Sequence, residues 1–270
     1  MKLRVLTAVF LIPALLAVLL IGPKLLTVLL CGVFCAFAAY ELLKNTGLVK
    51  HKRLIFYAMV SAFCVALWSA YGMDPVWERL GILVFFGLMF MEMMLSHLKL
   101  PFASICMCAA AGLLNPFLLS SLMRVFSMDF GRYLILIPFV VAFMSDTGAY
   151  FIGCSFGRHK LAPVISPKKS VEGVFGGVVF AIVGMLIYTL IIKLVFRCEV
   201  SFVNAAVYGF IGSLCGVFGD LCFSVIKRQC GIKDYGNLLP GHGGVLDRFD
   251  SMVVVGPMVE LLLIVLPVVK

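Results

Sequence analysis

Long apolar stretches alternate with short polar connections along most of this chain. A helix that crosses a bilayer needs roughly 20 predominantly apolar residues, and several stretches come close to that length. We place them at Val5–Gly22, Leu25–Leu43, Leu54–Gly72, Leu80–Leu95, Phe102–Met123, Tyr133–Gly153, Val174–Phe196, Val203–Ile226 and Ser251–Val269. The pattern predicts an all-α, polytopic integral membrane protein with about nine transmembrane helices.

Composition agrees with this class. Hydrophobic residues make up 63% of the 270 positions and charged residues 13%, whereas charged residues are about a quarter of an average soluble protein. The chain has no internal repeat, low-complexity tract or long linker, so we predict a single membrane domain over residues 1–270. Within it we expect residues 1–132 to be scaffold helices and residues 133–270 to hold the catalytic helices and cytoplasmic loops.

The formal net charge of +9 bears first on topology, because basic residues concentrate in cytoplasmic loops. If the N-terminus is cytoplasmic, most of the 22 lysines and arginines fall in inside loops. This predicts an N-in, C-out orientation, with the loops after the sixth and eighth spans on the cytoplasmic side. We therefore expect no nucleic-acid partner.

Two acids, Asp146 and Asp220, lie inside apolar spans. An ionisable residue in a span usually faces a polar cavity and indicates function. Ser224 and Lys227 follow Asp220 by four and seven residues, so all three share one helical face.

Three other acids have no such alignment. Glu41 and Glu92 lie near predicted helix ends, where we interpret them as solvated or snorkelling side chains. For Glu260, in the last span, a packing role and an unassigned functional role are equally open.

The segment from Ser224 to Asp250 is unusually polar for this chain. Its turn at Pro240–Gly244 can present backbone N–H groups to an anion, since glycine tolerates positive φ and close approach. If a helix begins near Val245, Asp247 and Asp250 share a face, and their hard oxygens suit Mg²⁺. The basic residues that can meet phosphate oxygens are Lys227, Arg228, Lys233 and Arg248.

The loop after the sixth span adds a further basic side chain, that of Lys169. Pro167 can occupy the first turn of a helix with Ser166 as its cap. Lys169 would then project from that first turn, where backbone amides attract anions. We expect the glycines that open the following span to let helices pack closely in lipid.

The run S-x-x-K-R-x-x-x-x-K-D-x-x-x-x-x-P-G-H-G-G-x-x-D-R-x-D, from Ser224 to Asp250, resembles the signature of the bacterial phosphatidate cytidylyltransferases, or CDP-diacylglycerol synthases. The stretches Ser145–Tyr150 and Ser166–Gly173 resemble the same family. The resemblance covers most of the second half of the chain, and the first half matches only in hydropathy and length. So many specified positions make a chance match implausible.

The resemblance implies the conversion of CTP and phosphatidic acid to CDP-diacylglycerol and pyrophosphate. It further implies Mg²⁺ as cofactor, with a second cation left open, a homodimer, and a place in the bacterial cytoplasmic (inner) membrane with the active site facing the cytoplasm. The expected catalytic residues are Asp220, Asp247, Lys169 and Asp146. The expected metal ligands are Asp220, Asp247 and Asp250. The expected substrate-binding residues are Ser224, Lys227, Arg228, Lys233, His242, Gly243, Gly244 and Arg248.

Two alternatives use similar features. A CTP-dependent lipid-alcohol kinase would share much of the site but direct attack to the γ-phosphorus, and the tight signature argues against it. An ion-coupled transporter would use Asp146 and Asp220 to bind its ion. Transporters commonly show inverted repeats, which the sequence lacks.

Overall fold

The computed structural model describes residues 13–72, 74–97, 99–238 and 243–269, which are mostly helical. Residues 13–20 are helical, while the start of the first predicted span lies outside the described residues. The labelled helices are α1 (Lys24–Tyr40), α2 (Lys52–Tyr71), α3 (Pro75–Leu95), α4 (Phe102–Ala109), α5 (Asn115–Leu119), α6 (Ser121–Phe126), α7 (Gly131–Leu134), α8 (Leu136–Phe156), α9 (Val171–Phe196), α10 (Phe202–Gln229), α11 (Leu246–Phe249) and α12 (Met252–Val265).

Six helical segments in the described part of the chain are long and apolar enough to cross a membrane. They are Lys24–Asn45, Lys52–Tyr71, Phe102–Phe126, Gly131–Phe156, Val171–Phe196 and Phe202–Gln229. Helix α3 has 21 residues but carries Glu78, Arg79 and Glu92, and α12 has only 14 residues. The helical, polytopic class is confirmed, and the count of nine spans stays a prediction.

The chain separates into two compact units. The first contains residues 1–132 and 229–249, and the second contains residues 133–228 and 250–270. The long polar segment of the sequence is thus divided between them, because the chain leaves the second unit after Arg228 and returns to it at Asp250.

In the first unit, α2 packs chiefly against α1. Ala58, Ala62 and Ala66 recur every fourth residue on α2 and are fully buried, which is the spacing of one helical face. Helix α1 continues into a π-helical turn at Glu41–Asn45. Such turns often occur at functional sites, and this one carries a buried acid.

In the second unit, α8 and α9 pack closely through glycines. A Cβ atom at Gly148 would lie 2.5 Å from the carbonyl oxygen of Gly176, and one at Gly177 would lie 2.8 Å from the carbonyl oxygen of Ser145. Only residues without a side chain allow this approach, so the predicted close packing of the glycines is confirmed. Ser145 Oγ also lies 2.7 Å from Ser213 Oγ, which joins α8 to α10.

A two-stranded antiparallel hairpin, β1 (Lys160–Ala162) and β2 (Ser166–Ser170), precedes α9. The fold is therefore not purely helical, and the predicted helix start at Pro167 is wrong. The cap of α9 is Ser170, whose Oγ accepts a hydrogen bond from the N–H of Gly173 at 3.1 Å. The preceding residues form ladder bonds to β1 instead of helical ones.

The carboxylate of Glu172, in the first turn of α9, ties that turn to the start of the hairpin. It accepts hydrogen bonds from the N–H groups of Arg158 and His159 at 3.1 and 3.2 Å. It also pairs with His159 Nδ1 at 2.6 Å. These bonds attach the segment before β1 to the first turn of α9, and β1 in turn pairs with β2, which carries Lys169.

Candidate active site

Asp220 of α10 and Lys169 of β2 form an ion pair in the second unit. Their side chains are 34% and 25% exposed, so both are partly shielded from water. Ser224, one turn further along α10, donates its hydroxyl to Asp220 Oδ1 at 3.2 Å. The predicted alignment of Asp220 with Ser224 is confirmed, and Lys169 joins them from a strand instead of a helix.

A second pair lies at the end of α10. Lys227 Nζ is 3.7 Å from Asp250 Oδ2, and both side chains are only 12% exposed. Asp250 Oδ1 also accepts a hydrogen bond from the N–H of Ser251 at 2.8 Å. A Cβ atom at Gly219 would lie 3.1 Å from the carbonyl oxygen of Asp250, so a glycine lets this segment approach α10 closely.

Arg228 and Asp146 are two other predicted residues of the second unit. Arg228 donates from Nε to the carbonyl oxygen of Ile165 at 3.1 Å, which attaches the end of α10 to the turn of the hairpin. Asp146 lies in the middle of α8 with an exposed side chain. A catalytic role for Asp146 stays a prediction.

In the first unit, Asp247 organises the glycine-rich segment. Its Oδ2 accepts hydrogen bonds from the N–H groups of Tyr235 at 2.8 Å and Gly244 at 3.0 Å. Gly243 has a φ of 89°, a value that favours glycine, and a Cβ atom there would lie 3.1 Å from Asp247 Oδ2. The carboxylate therefore holds the backbone at Tyr235 and at Gly244.

The predicted shared helical face of Asp247 and Asp250 is wrong. Helix α11 is a single turn that ends at Phe249, and Asp250 lies in the turn that follows. Phe249 packs against Phe34 with ring centroids 5.3 Å apart. The bond from Asp250 to the N–H of Ser251 belongs to the start of the next helix, so the two aspartates are held by different partners.

Glu41 is a residue that the sequence interpretation missed. Its side chain is buried, with 2% of the residue exposed, and not solvated as we predicted. Its oxygens accept hydrogen bonds from the N–H groups of Val245 at 3.0 Å and Leu246 at 2.8 Å. Cβ atoms at Gly236 and Gly244 would each lie 2.5 Å from a Glu41 oxygen. A buried acid in α1's extension thus holds the start of α11.

The prediction for Glu92 is also wrong, for a similar reason. Glu92 is buried, and its Oε1 lies 3.3 Å from Arg53 Nη1 and 3.2 Å from the hydroxyl of Tyr57. The signal available in the sequence was the same for both acids, namely a carboxylate at the edge of an apolar stretch. The structure shows that Glu92 binds the side chains of Arg53 and Tyr57, whereas Glu41 binds backbone N–H groups of the Ser224–Asp250 segment.

Lys233, Arg248 and His242 are the remaining predicted substrate-binding residues. Lys233 and Arg248 have exposed side chains, and His242 lies outside the described residues. In the described part of the chain, no three His, Cys, Asp or Glu side chains gather into a metal-binding cluster.

Asp220 nevertheless has the chemistry that Mg²⁺ prefers, which is hard carboxylate oxygen. A carboxylate offers about four acceptor positions, and Ser224 and Lys169 occupy two of those on Asp220. The Asp220 carboxylate therefore fits an Mg²⁺ ligand.

Six apolar helices of membrane-spanning length in the described part of the chain, together with the lysine–aspartate pairs, define a polytopic membrane protein with charged groups held in its helical units. Residues 2–266 match the model of the cytidylyltransferase family, and the chain belongs to that family.

Similar proteins from three staphylococci are each named phosphatidate cytidylyltransferase. The protein of Staphylococcus saprophyticus is 48% identical over 139 residues, that of Staphylococcus aureus 45% over 139 residues, and that of Staphylococcus epidermidis 44% over 133 residues. Each match covers about half of this chain, and the chain spans about half the length of these relatives.

Proposed function

We propose that this protein transfers the cytidylyl group of CTP to phosphatidic acid in a bacterial membrane, giving CDP-diacylglycerol and pyrophosphate. The observation that carries the proposal is the partly buried pair of Lys169 and Asp220, with Ser224 on the same carboxylate. A chain of the cytidylyltransferase family with such a group can bind the anionic reactants of this reaction. The names of the staphylococcal relatives support the same substrates.

In this reaction an oxygen of the lipid phosphate forms a bond to the α-phosphorus of CTP. The bond from that phosphorus to the oxygen bridging to the β-phosphate breaks, and its electron pair leaves with pyrophosphate. The lipid phosphate has a second pKa of about 6, by analogy with phosphoserine, so it is largely ionised at neutral pH. The protein therefore needs no strong general base for this step.

The main task of the protein is to bring two anions together in line. Lys169 and Lys227 already lie beside carboxylates, which keeps these cations extended and oriented in a partly dry environment. We assign both to phosphate oxygens, together with Arg228. In the first unit, taken by itself, Lys233 and Arg248 are further proposed phosphate contacts, and Gly243 supplies a proposed backbone N–H group. The N–H of Gly244 is already donated to Asp247 Oδ2.

Mg²⁺ is the proposed cofactor, with Asp220 and Asp250 as ligands in the second unit. When bound, the cation supplies positive charge that stabilises the phosphate oxygens in the transition state. Asp247, the third predicted ligand, accepts loop amides through Oδ2. Its role as a ligand and the second cation stay predictions, which titration with Mg²⁺ tests.

The proposal includes nine spans, an N-in, C-out orientation, and an active site on the cytoplasmic side of the bacterial cytoplasmic membrane, where CTP is available. The distribution of basic residues supports this orientation. It also includes the homodimer that the family resemblance implies. Labelling of single introduced cysteines from each side of the membrane tests the topology, and mass measurement in detergent tests the dimer.

The activity is tested by incubating purified protein in micelles with phosphatidic acid, labelled CTP and Mg²⁺. We expect a lipid-soluble cytidine product, its loss with EDTA, and its loss in Asp220→Asn. Asp129→Asn is the matched control, because Asp129 is an exposed acid outside the site. A lipid-alcohol kinase would release CDP and leave no cytidine on the lipid, so absence of labelled lipid from folded protein overturns the proposal.

A further inference from the structure

The first unit contains a cavity that the phosphate and metal assignments do not use. Its volume is about 510 Å³, within the range of roughly 300–1,000 Å³ typical of small-molecule sites. One wall comes from the end of α1 and its π-helical turn, and the other from residues 234–238. The second wall leads along the chain toward Gly243 and Gly244 of the signature turn.

The cavity wall is held in place by bonds within the same unit. Asn45 Nδ2 donates to the carbonyl oxygen of Tyr235, and the N–H of Tyr235 donates to Asp247 Oδ2 at 2.8 Å. Tyr235 itself is fully buried. The wall is therefore formed in advance, and Asp247, which also accepts the N–H of Gly244, is one of the residues that hold it.

The lining suits a flat, aromatic ligand with polar edges. Phe37 and Tyr40 line the cavity and are half-buried, and aromatic side chains are the usual stacking surfaces for nucleobases. Asp234 and Asn237 line it as well, and both are exposed. A carboxylate and an amide can read the hydrogen-bonding edge of a base.

We propose that this cavity binds the cytosine base of CTP, with Asp234 as the residue that selects cytosine over uracil. This inference rests on the proposed function. The exocyclic amino group of cytosine is a hydrogen-bond donor that a carboxylate accepts. Uracil has a carbonyl oxygen at the same position, and a carboxylate facing it would repel it. Stacking on Tyr40 and Phe37 holds either base, so Asp234 supplies the discrimination.

The test compares CTP with UTP as substrates of the full-length protein in micelles. A site built to hydrogen-bond one group discriminates strongly against an analogue without it, and asparagine can donate to the uracil oxygen. We therefore expect Asp234→Asn to lower the CTP-to-UTP ratio of kcat/KM about tenfold or more. Asp129→Asn, which removes the same charge from the same unit, should leave the ratio unchanged.

Tyr40→Leu is the second variant. Aromatic stacking depends little on which base is bound. Tyr40→Leu should therefore raise the KM for CTP and the KM for UTP alike, each about tenfold, and leave kcat unchanged. An Asp234→Asn protein that loses both activities equally, or keeps the wild-type ratio, overturns the proposal.

A measurement of nucleotide binding tests this inference independently of the proposed reaction. If wild-type protein makes no product from CTP, protection from thermal unfolding by CMP and by UMP is measured instead. Preferential protection by CMP that Asp234→Asn removes supports the cavity assignment even when the proposed reaction fails. Equal protection by both nucleotides refutes the assignment.

Discussion

Glu41 offers the sharpest test of how the fold holds the signature segment. Its two carboxylate oxygens accept the N–H groups of Val245 and Leu246 at 3.0 and 2.8 Å. Glu41→Gln keeps the size of the side chain and one oxygen. Its other terminal atom becomes an NH₂ group, which faces an N–H donor instead of accepting from it. One bond is lost, and a buried donor is left without an acceptor.

The magnitude follows from these two effects. A hydrogen bond to a charged group contributes about 1.5–3 kcal/mol, and an unsatisfied buried donor costs about 1–3 kcal/mol. Taking about 3 kcal/mol for the substitution, and about 1.4 kcal/mol for each tenfold in rate, we expect kcat/KM for CTP to fall about 100-fold. Glu41→Asp should also lose activity, since its shorter side chain cannot reach both amides.

The assay is formation of labelled CDP-diacylglycerol at varied CTP, with thermal unfolding in detergent to confirm that each variant is folded. Glu92→Gln is the matched control, because Glu92 is another buried acid of the first unit but binds Arg53 and Tyr57. It should keep kcat/KM near the wild-type value. Folded Glu41→Gln protein with wild-type kcat/KM would refute the reasoning.

Three further predictions concern packing, capping and metal. Gly148→Ala should lower the free energy of unfolding by about 1–3 kcal/mol, because its Cβ would lie 2.5 Å from the carbonyl oxygen of Gly176; thermal unfolding in detergent measures this, and an unchanged midpoint contradicts it. Ser170→Ala should cost about 1 kcal/mol by removing the cap of α9, while Ser170→Asp should restore most of it. Chelation with EDTA should abolish turnover and excess Mg²⁺ should restore it, and activity that persists in EDTA would remove Mg²⁺ from the proposal.

The helical spans could be predicted from the sequence because their cause is local. A bilayer requires every backbone group to be satisfied within the spanning segment, so hydropathy and length alone indicate where helices form. The alignment of Asp220 with Ser224 was accessible for the same reason, since helical spacing determines it. The close approach of α8 and α9 followed from the glycines at their contact.

The position of Lys169 could not be predicted from local spacing in the same way. Its segment carries a proline and a serine that fit a helix start, yet pairing with Lys160–Ala162 places it in a strand. The choice between these conformations depends on a partner strand and on the bonds of Glu172 to Arg158 and His159. Such contacts have no periodic signal in the sequence.

The membrane class, the polar signature and the residue types that suit phosphates and Mg²⁺ could be predicted from the amino-acid sequence, because they follow from composition and short-range spacing. The pairing of Lys169 with Asp220, the pairing of Lys227 with Asp250, and the bonds of Glu41 to the backbone of Val245 and Leu246 became visible in the folded chain alone. The last of these contacts joins residues about 200 positions apart. Buried charges acquire their partners from packing, and packing brings together side chains that no local pattern connects.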